Sequence, residues 1–269
     1  MENKKFAVLI DADNISRTKI RYILDEIARW GSPVIKRAYG DWTSPSMSAW
    51  KSVLLDNSVI PVQQYAYTTG KNATDSALII DAMDILHREN VDGFCIVSSD
   101  SDFTRLSSRI RESGREVLGF GERKTPAPFV KSCDRFVFVE ILGQNEEPAT
   151  APASPIKKEE KKPPVSAGGV VSANDVPAAG QRKEKSLLPI DEAFKSLLVS
   201  TVNDVADEDG WAFLGVVGNV LVKKMPEFDP RNYGFPKLTP LIRSLFDLFE
   251  VEERPFGEHN LKHIYVRNR

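Results

Sequence analysis

The sequence predicts an α/β protein: a mostly parallel sheet flanked by helices, followed by a small α+β module. Three observations carry this. Between Phe6 and Leu142, fully apolar runs alternate with amphipathic helical patterns, as in a parallel sheet covered on both faces. Residues 143–186 then lose every aromatic side chain and contain six prolines. Beyond them helical periodicity returns and ends in two strand-like pieces.

Within the first segment (1–142), strands are expected over 6–10, 34–39, 59–65, 93–98, 116–120 and 135–139. Helices are expected over 18–30, 46–56, 75–89 and 103–113. Leu78, Ile79, Ala82, Met83 and Leu86 form a helical stripe at three- and four-residue spacing, which marks them as core. Residues 143–186 are rich in Ala, Ser, Lys and Glu between Pro148 and Pro177. Such a stretch buries too little apolar area to order itself. It reads as a flexible linker spanning roughly 35–40 Å as a coil, holding the two ends of the protein near one ligand. In the last segment (187–269), helices are expected over 189–205, 213–224 and 237–247, with strands over 248–253 and 262–267.

Composition narrows the function classes. The 269 residues are 41% hydrophobic and 28% charged, ordinary values for a soluble globular chain. No apolar run approaches the roughly 20 residues that span a bilayer, and the N-terminus lacks the pattern of a secretory signal. Cys95 and Cys133 lie far apart in apolar surroundings. They read as reduced buried thiols, so a cytoplasmic protein is expected. Net charge is −2, and residues 187–269 are themselves acidic, which argues against strong nonspecific phosphate binding there.

The informative residues are acidic. Asp11-Ala12-Asp13-Asn14 follows the run Phe6–Ile10, Asp75 opens a helix, and Asp100 and Asp102 follow the run Phe94–Val97. If these runs are neighbouring parallel strands, their carboxylates meet at the C-terminal edge, where open α/β sheets bind ligands. Carboxylates packed so closely stay ionised together only around a cation, which predicts a divalent metal and phosphate chemistry. Asn14 is placed to orient Asp11 or a water. Asp13 serves the site or caps the next helix, and Thr74 is a candidate cap before Asp75. Asp81 and Asp84 fall on other faces of the helix that carries Asp75. Ser98 and Ser99 lie where a phosphate can meet helical amides. Lys36, Lys71, Arg105 and Arg109 are candidates to steer a polyanion.

Asp11-Ala-Asp13-Asn14, Lys71-x-x-x-Asp75 and Ser98-Ser-Asp-Ser-Asp102-Phe103, in this order, resemble the NYN domain, a branch of the PIN-like nucleases, over about residues 4–142. The resemblance implies a PIN-like Rossmannoid fold. It also implies an Mg²⁺ or Mn²⁺ site at Asp11, Asp75, Asp100 and Asp102, with Asn14 beside it. Ser99 and Ala73 stand where that family usually has glycine. Gly210-Trp211-Ala, Phe228-Asp229-x-Arg231-x-Tyr233-Gly234 and Lys237-Leu238 resemble the OST-HTH (LOTUS) domain, over about 189–269. That implies a winged-helix-like module associated with RNA or with protein contacts. By side-chain chemistry, Arg231 and Lys237 are candidates to meet phosphates and Tyr233 to stack on a base.

The expected activity is metal-dependent, endonucleolytic hydrolysis of RNA, single-stranded or structured, with the second module holding RNA or a protein partner. A non-catalytic RNA-binding regulator is the alternative. A phosphatase of the haloacid dehalogenase type is a third, because Asp11-Ala-Asp13 mimics its nucleophile motif.

Overall fold

The computed structural model describes residues 3–65, 73–143, 188–256 and 261–269. The expected linker, apart from Gly143, lies outside the described residues. Six strands form one sheet: β1 (Lys5–Asp11), β2 (Ser32–Gly40), β3 (Ile60–Gln63), β4 (Gly93–Val97), β5 (Glu116–Gly121) and β6 (Arg135–Phe138). Their order is β3-β2-β1-β4-β5-β6, and every neighbouring pair is parallel. Helices α1 (Ile20–Ile27), α2 (Trp50–Asp56), α3 (Ala73–Arg88), α4 (Thr104–Glu112) and α5 (Ala127–Ser132) complete the domain.

Strand β1 shows why the apolar runs are continuous. Phe6, Val8 and Ile10 enter one core, with Ile20, Ile23 and Ile27 of α1. Ala7 and Leu9 enter the other, with Leu78, Ala82 and Ile85 of α3. A strand buried on both faces has no polar side. Chain order runs one way from β1 through β2 to β3 and the other way from β4 through β5 to β6. The boundary between β1 and β4 is therefore the topological switch point, and a crevice opens beyond their C-terminal ends.

Some local features differ from the sequence expectation. The expected helix 18–30 is a short 3-10 turn, Arg17–Lys19, followed by α1. It stops before Gly31, where an added Cβ would lie 2.3 Å from the Lys4 carbonyl oxygen. Helix α5 is absent from the expectation, because six residues after Pro126 are too few to show periodicity. Thr74 lies inside α3 rather than before it.

The C-terminal α+β module contains α6 (Glu192–Val205), β7 (Ala212–Phe213), α7 (Leu214–Lys224), α8 (Leu238–Ser244), β8 (Phe249–Phe256) and β9 (Leu261–Asn268). Its antiparallel sheet has the order β7-β9-β8. The two-residue strand β7 is too short to be seen in sequence. Asp191 caps α6 by accepting the Phe194 N–H at 2.8 Å. Phe194, Leu198, Val217, Leu221, Leu241 and Val266 make a separate core. Among the described residues no helix is long and apolar enough to cross a membrane.

The two modules touch, which a linker reading does not reveal. The Phe136 N–H on edge strand β6 donates to the Pro226 carbonyl at 2.9 Å, so the second module covers that sheet edge. Leu188 packs against both cores. The main link is ionic. Arg231 donates two hydrogen bonds to Glu26 of α1, at 3.1 and 2.8 Å, while Asp229 binds the same guanidinium at 2.6 Å. Arg29 also reaches Glu26, at 3.0 Å. Glu26 is only 5% exposed, so losing a partner leaves a buried charge less compensated. A double-mutant cycle of Glu26→Ala and Arg231→Ala, read by denaturant unfolding, is expected to give a coupling of about 2 kcal/mol. A coupling near zero would show that the contact does not join the modules.

Candidate active site

Asp11 is the last residue of β1 and is fully buried. Its Oδ1 accepts the backbone N–H groups of Asp13 and Asn14, at 3.2 and 3.3 Å. Its Oδ2 accepts Asn14 Nδ2 at 2.8 Å and Ser98 Oγ at 2.7 Å. Ser98, just past β4, is also fully buried, and its Oγ accepts the Asp100 N–H at 3.0 Å. One carboxylate thus ties the loop after β1 to the loop after β4. Burial pushes Asp11 above the ordinary carboxylate range, against the lowering effect of the Ser98 and Asn14 hydrogen bonds.

Asp100 starts the turn into α4 and accepts the Asp102 N–H at 2.9 Å. Ser99 Oγ accepts the Glu122 N–H at 2.8 Å, fastening this turn to the end of β5. Asp75 lies buried in the first turn of α3. One carboxylate oxygen from each of Asp75, Asp100 and Asp102 lies within 4.8 Å of the others. Burial, then the charges of Asp11, Asp100, Asp102 and Asp13, raise Asp75 to about 6.

Three hard oxygen donors suit a hard divalent cation, whose octahedral ligand oxygens lie roughly 3–4 Å apart. The residues present therefore fit Mg²⁺ or Mn²⁺. Asp11 is not one of these three acids; both its oxygens accept hydrogen bonds, from the Asp13 and Asn14 amides, the Asn14 side chain and Ser98. Its charge nevertheless raises Asp75 more than that of any other carboxylate. Asn14 is a donor to Asp11, and Asp13 is exposed beside it.

Several expected polyanion contacts have other partners. Ser98 is buried and donates its hydroxyl to Asp11, which takes that proton from any phosphate. Ser99 Oγ instead accepts the Glu122 N–H, a bond that does not use its own O–H. Arg231 is committed to Glu26 and Asp229. Tyr233 is buried, stacked on Phe194 with ring centroids 4.1 Å apart. Lys36 donates to the Asn57 carbonyl, and Arg109 to Ser113. Arg105 and Lys237 are exposed, whereas Lys71 lies outside the described residues. Asp81 binds Arg37 and Tyr39, and Asp84 is exposed beside Arg88. A phospho-aspartate route needs an open nucleophile at Asp11, and burial removes it. Glu26, which joins the two modules, is marked in the sequence only as a charge beside Ile23 and Ile27 on the apolar face of a helix.

The NYN domain family matches residues 5–141, and the OST-HTH/LOTUS domain family matches residues 185–261. The chain belongs to the NYN family and carries a C-terminal OST-HTH/LOTUS domain. Among solved structures it is similar to a protein of unknown function from Vibrio parahaemolyticus, with 22% identity over 50% of this chain and 91% of that one, and a TM-score of 0.43. It is also similar to an uncharacterized protein from Nitrosomonas europaea, with 35% identity over 36% of this chain and 89% of that one, and a TM-score of 0.28. Comparison with curated proteins gives no match.

The raised carboxyl of Asp75 has a stability consequence with a definite sign. Without divalent metal, the folded chain holds the Asp75 proton more tightly than the unfolded chain, whose value is near 3.8. That stabilisation is complete below about pH 4 and is lost as pH rises through about 6. In EDTA, Asp75→Asn is expected to raise stability at pH 7.5 by about 1–3 kcal/mol and to flatten the pH 4–6 slope of thermal unfolding. An unchanged slope would place no titrating carboxyl there.

Proposed function

We propose that the chain is a metal-dependent endoribonuclease, with the OST-HTH/LOTUS domain serving as an RNA-holding module. The observation that carries this reading is the convergence of Asp75, Asp100 and Asp102 at the switch-point edge of an NYN domain. These three residues would hold Mg²⁺ or Mn²⁺. When bound, the ion supplies Lewis-acid stabilisation of phosphoryl charge and makes a neighbouring water more acidic.

The chain's own groups prepare the site. Ser98 and Asn14 orient Asp11, and the buried Asp11 charge favours cation occupancy over three protonated acids. Asp100, fixed by the Asp102 N–H, sets the angle between the two loop carboxylates. Asp75 enters from a different element, so the spacing of the three acids depends on α3 docking against β1 and β2. Exposed Arg105, at the start of α4, faces solvent where a phosphate backbone can arrive.

Two measurements test the reading. Full-length protein with Mn²⁺ is expected to cut single-stranded RNA internally, with labels at either end giving matching fragments. Asp100→Asn should slow cleavage at least about 100-fold, roughly 2.7 kcal/mol of barrier. RNA retained without products at any divalent concentration would favour the non-catalytic regulator instead. Separately, Mn²⁺ should raise the melting temperature of wild type more than that of Asp75→Asn. Equal shifts would remove Asp75 from the ligand set.

A further inference from the structure

Between the two modules lies a cleft of about 740 Å³, lined by Lys4, Arg111, Arg115, Lys131, Arg135 and Lys223 against only two acids, Glu116 and Asp134. The acids are taken: Lys4 pairs with Glu116 at 2.6 Å and Arg111 with Asp134 at 2.9 Å. Arg135 lies over the Trp30 ring at 5.1 Å. Among the described residues, Arg115, Lys131 and Lys223 make no ion pair. Arg111, Lys131 and Lys223 each lie in the last turn of a helix, where a cation complements the dipole. That accounts for one cation per helix, but not for three helices from two domains turning theirs into one concavity.

A second cleft, of about 450 Å³, continues the first across α7, sharing Arg135, Asn219 and Val222 with it. Its far wall is aromatic. Phe213 is 37% exposed, with its ring centroid 4.8 Å from that of His263. Gly215 leaves room for the Phe213 ring at the start of α7, since a Cβ there would lie 2.8 Å from it. Cations at one end and an exposed ring at the other match a strand that offers phosphates and base faces together.

We propose that this inter-domain cleft binds single-stranded RNA, with the backbone at Arg115, Lys131 and Lys223 and a base on Phe213. The proposal rests on the reading of the chain as one that acts on RNA, and adds where the strand is held. Lys4 and Arg115 adjoin the N-terminal ends of β1 and β5. The cleft therefore lies roughly 20 Å from the acids, one strand length away. Contacts there act on strand affinity rather than on the chemical step.

The test is binding of a short fluorescein-labelled single-stranded RNA of mixed sequence to the full chain in EDTA, read by anisotropy across a salt series. Arg115→Ala, Lys131→Ala and Lys223→Ala together should weaken binding at least about 10-fold and lower the salt slope by about 2. Phe213→Ala should weaken it about 5-fold. A control with equal charge loss at the exposed Lys51, Arg88 and Arg269 should change it less than about 2-fold. In the cleavage assay the triple variant should raise KM and spare kcat. If the triple variant fails to fold, Lys131→Glu alone, at an exposed helix end, is read in the same way. Equal affinity of triple variant and control overturns the cleft even if wild type cuts RNA. The expected binding pattern without cleavage supports the cleft and overturns the ribonuclease reading. Wild type that neither binds nor cuts overturns both.

Discussion

The constraint on which this site depends is the placement of negative charge at the switch between β1 and β4. Asp11 is fully buried there, and Asp75, Asp100 and Asp102 crowd in front of it. Isolated buried carboxylates are costly. The fold meets that cost behind the site with hydrogen bonds from Ser98, Asn14 and two backbone amides. In front it meets the cost only in part, and Asp75 carries the remainder as a carboxyl raised to about 6. Crowding of this kind lowers stability at any pH where Asp75 must ionise.

The same network explains why neighbouring residues are not interchangeable. Ser98 and Ser99 look equivalent in sequence but face opposite ways. Ser98 joins β4 to β1 through Asp11, and Ser99 joins the same loop to the end of β5 through Glu122. Asp11 and Asp100 look like equal ligands, yet one is the anchor of both loops and the other stands in the open group.

The second module is more than a passenger on a tether. It covers the β6 edge, and Arg231 grips Glu26 in the first domain. Docking turns two surfaces of ordinary charge into one basic cleft, because Lys223 of α7 comes to face Arg115 and Lys131. A module of net negative charge thereby contributes Lys223 to a local positive field.

Local pattern was enough to read the alternating elements, the two-faced apolar strands and the three acidic segments. Strand and helix periodicities are short-range properties, and a parallel sheet puts successive strand ends on one edge whatever the loops do. Short elements such as α5 and β7 were invisible for the complementary reason: too few residues to carry a period. Only the tertiary structure decided which acids share a cluster, that Ser98 meets Asp11, and that Arg231 and Tyr233 face inward. Each of those outcomes depends on a partner distant in sequence: Ser98 lies 87 residues from Asp11, and Arg231 lies 205 from Glu26. Which partner a polar side chain meets is set by packing, and no local pattern encodes it.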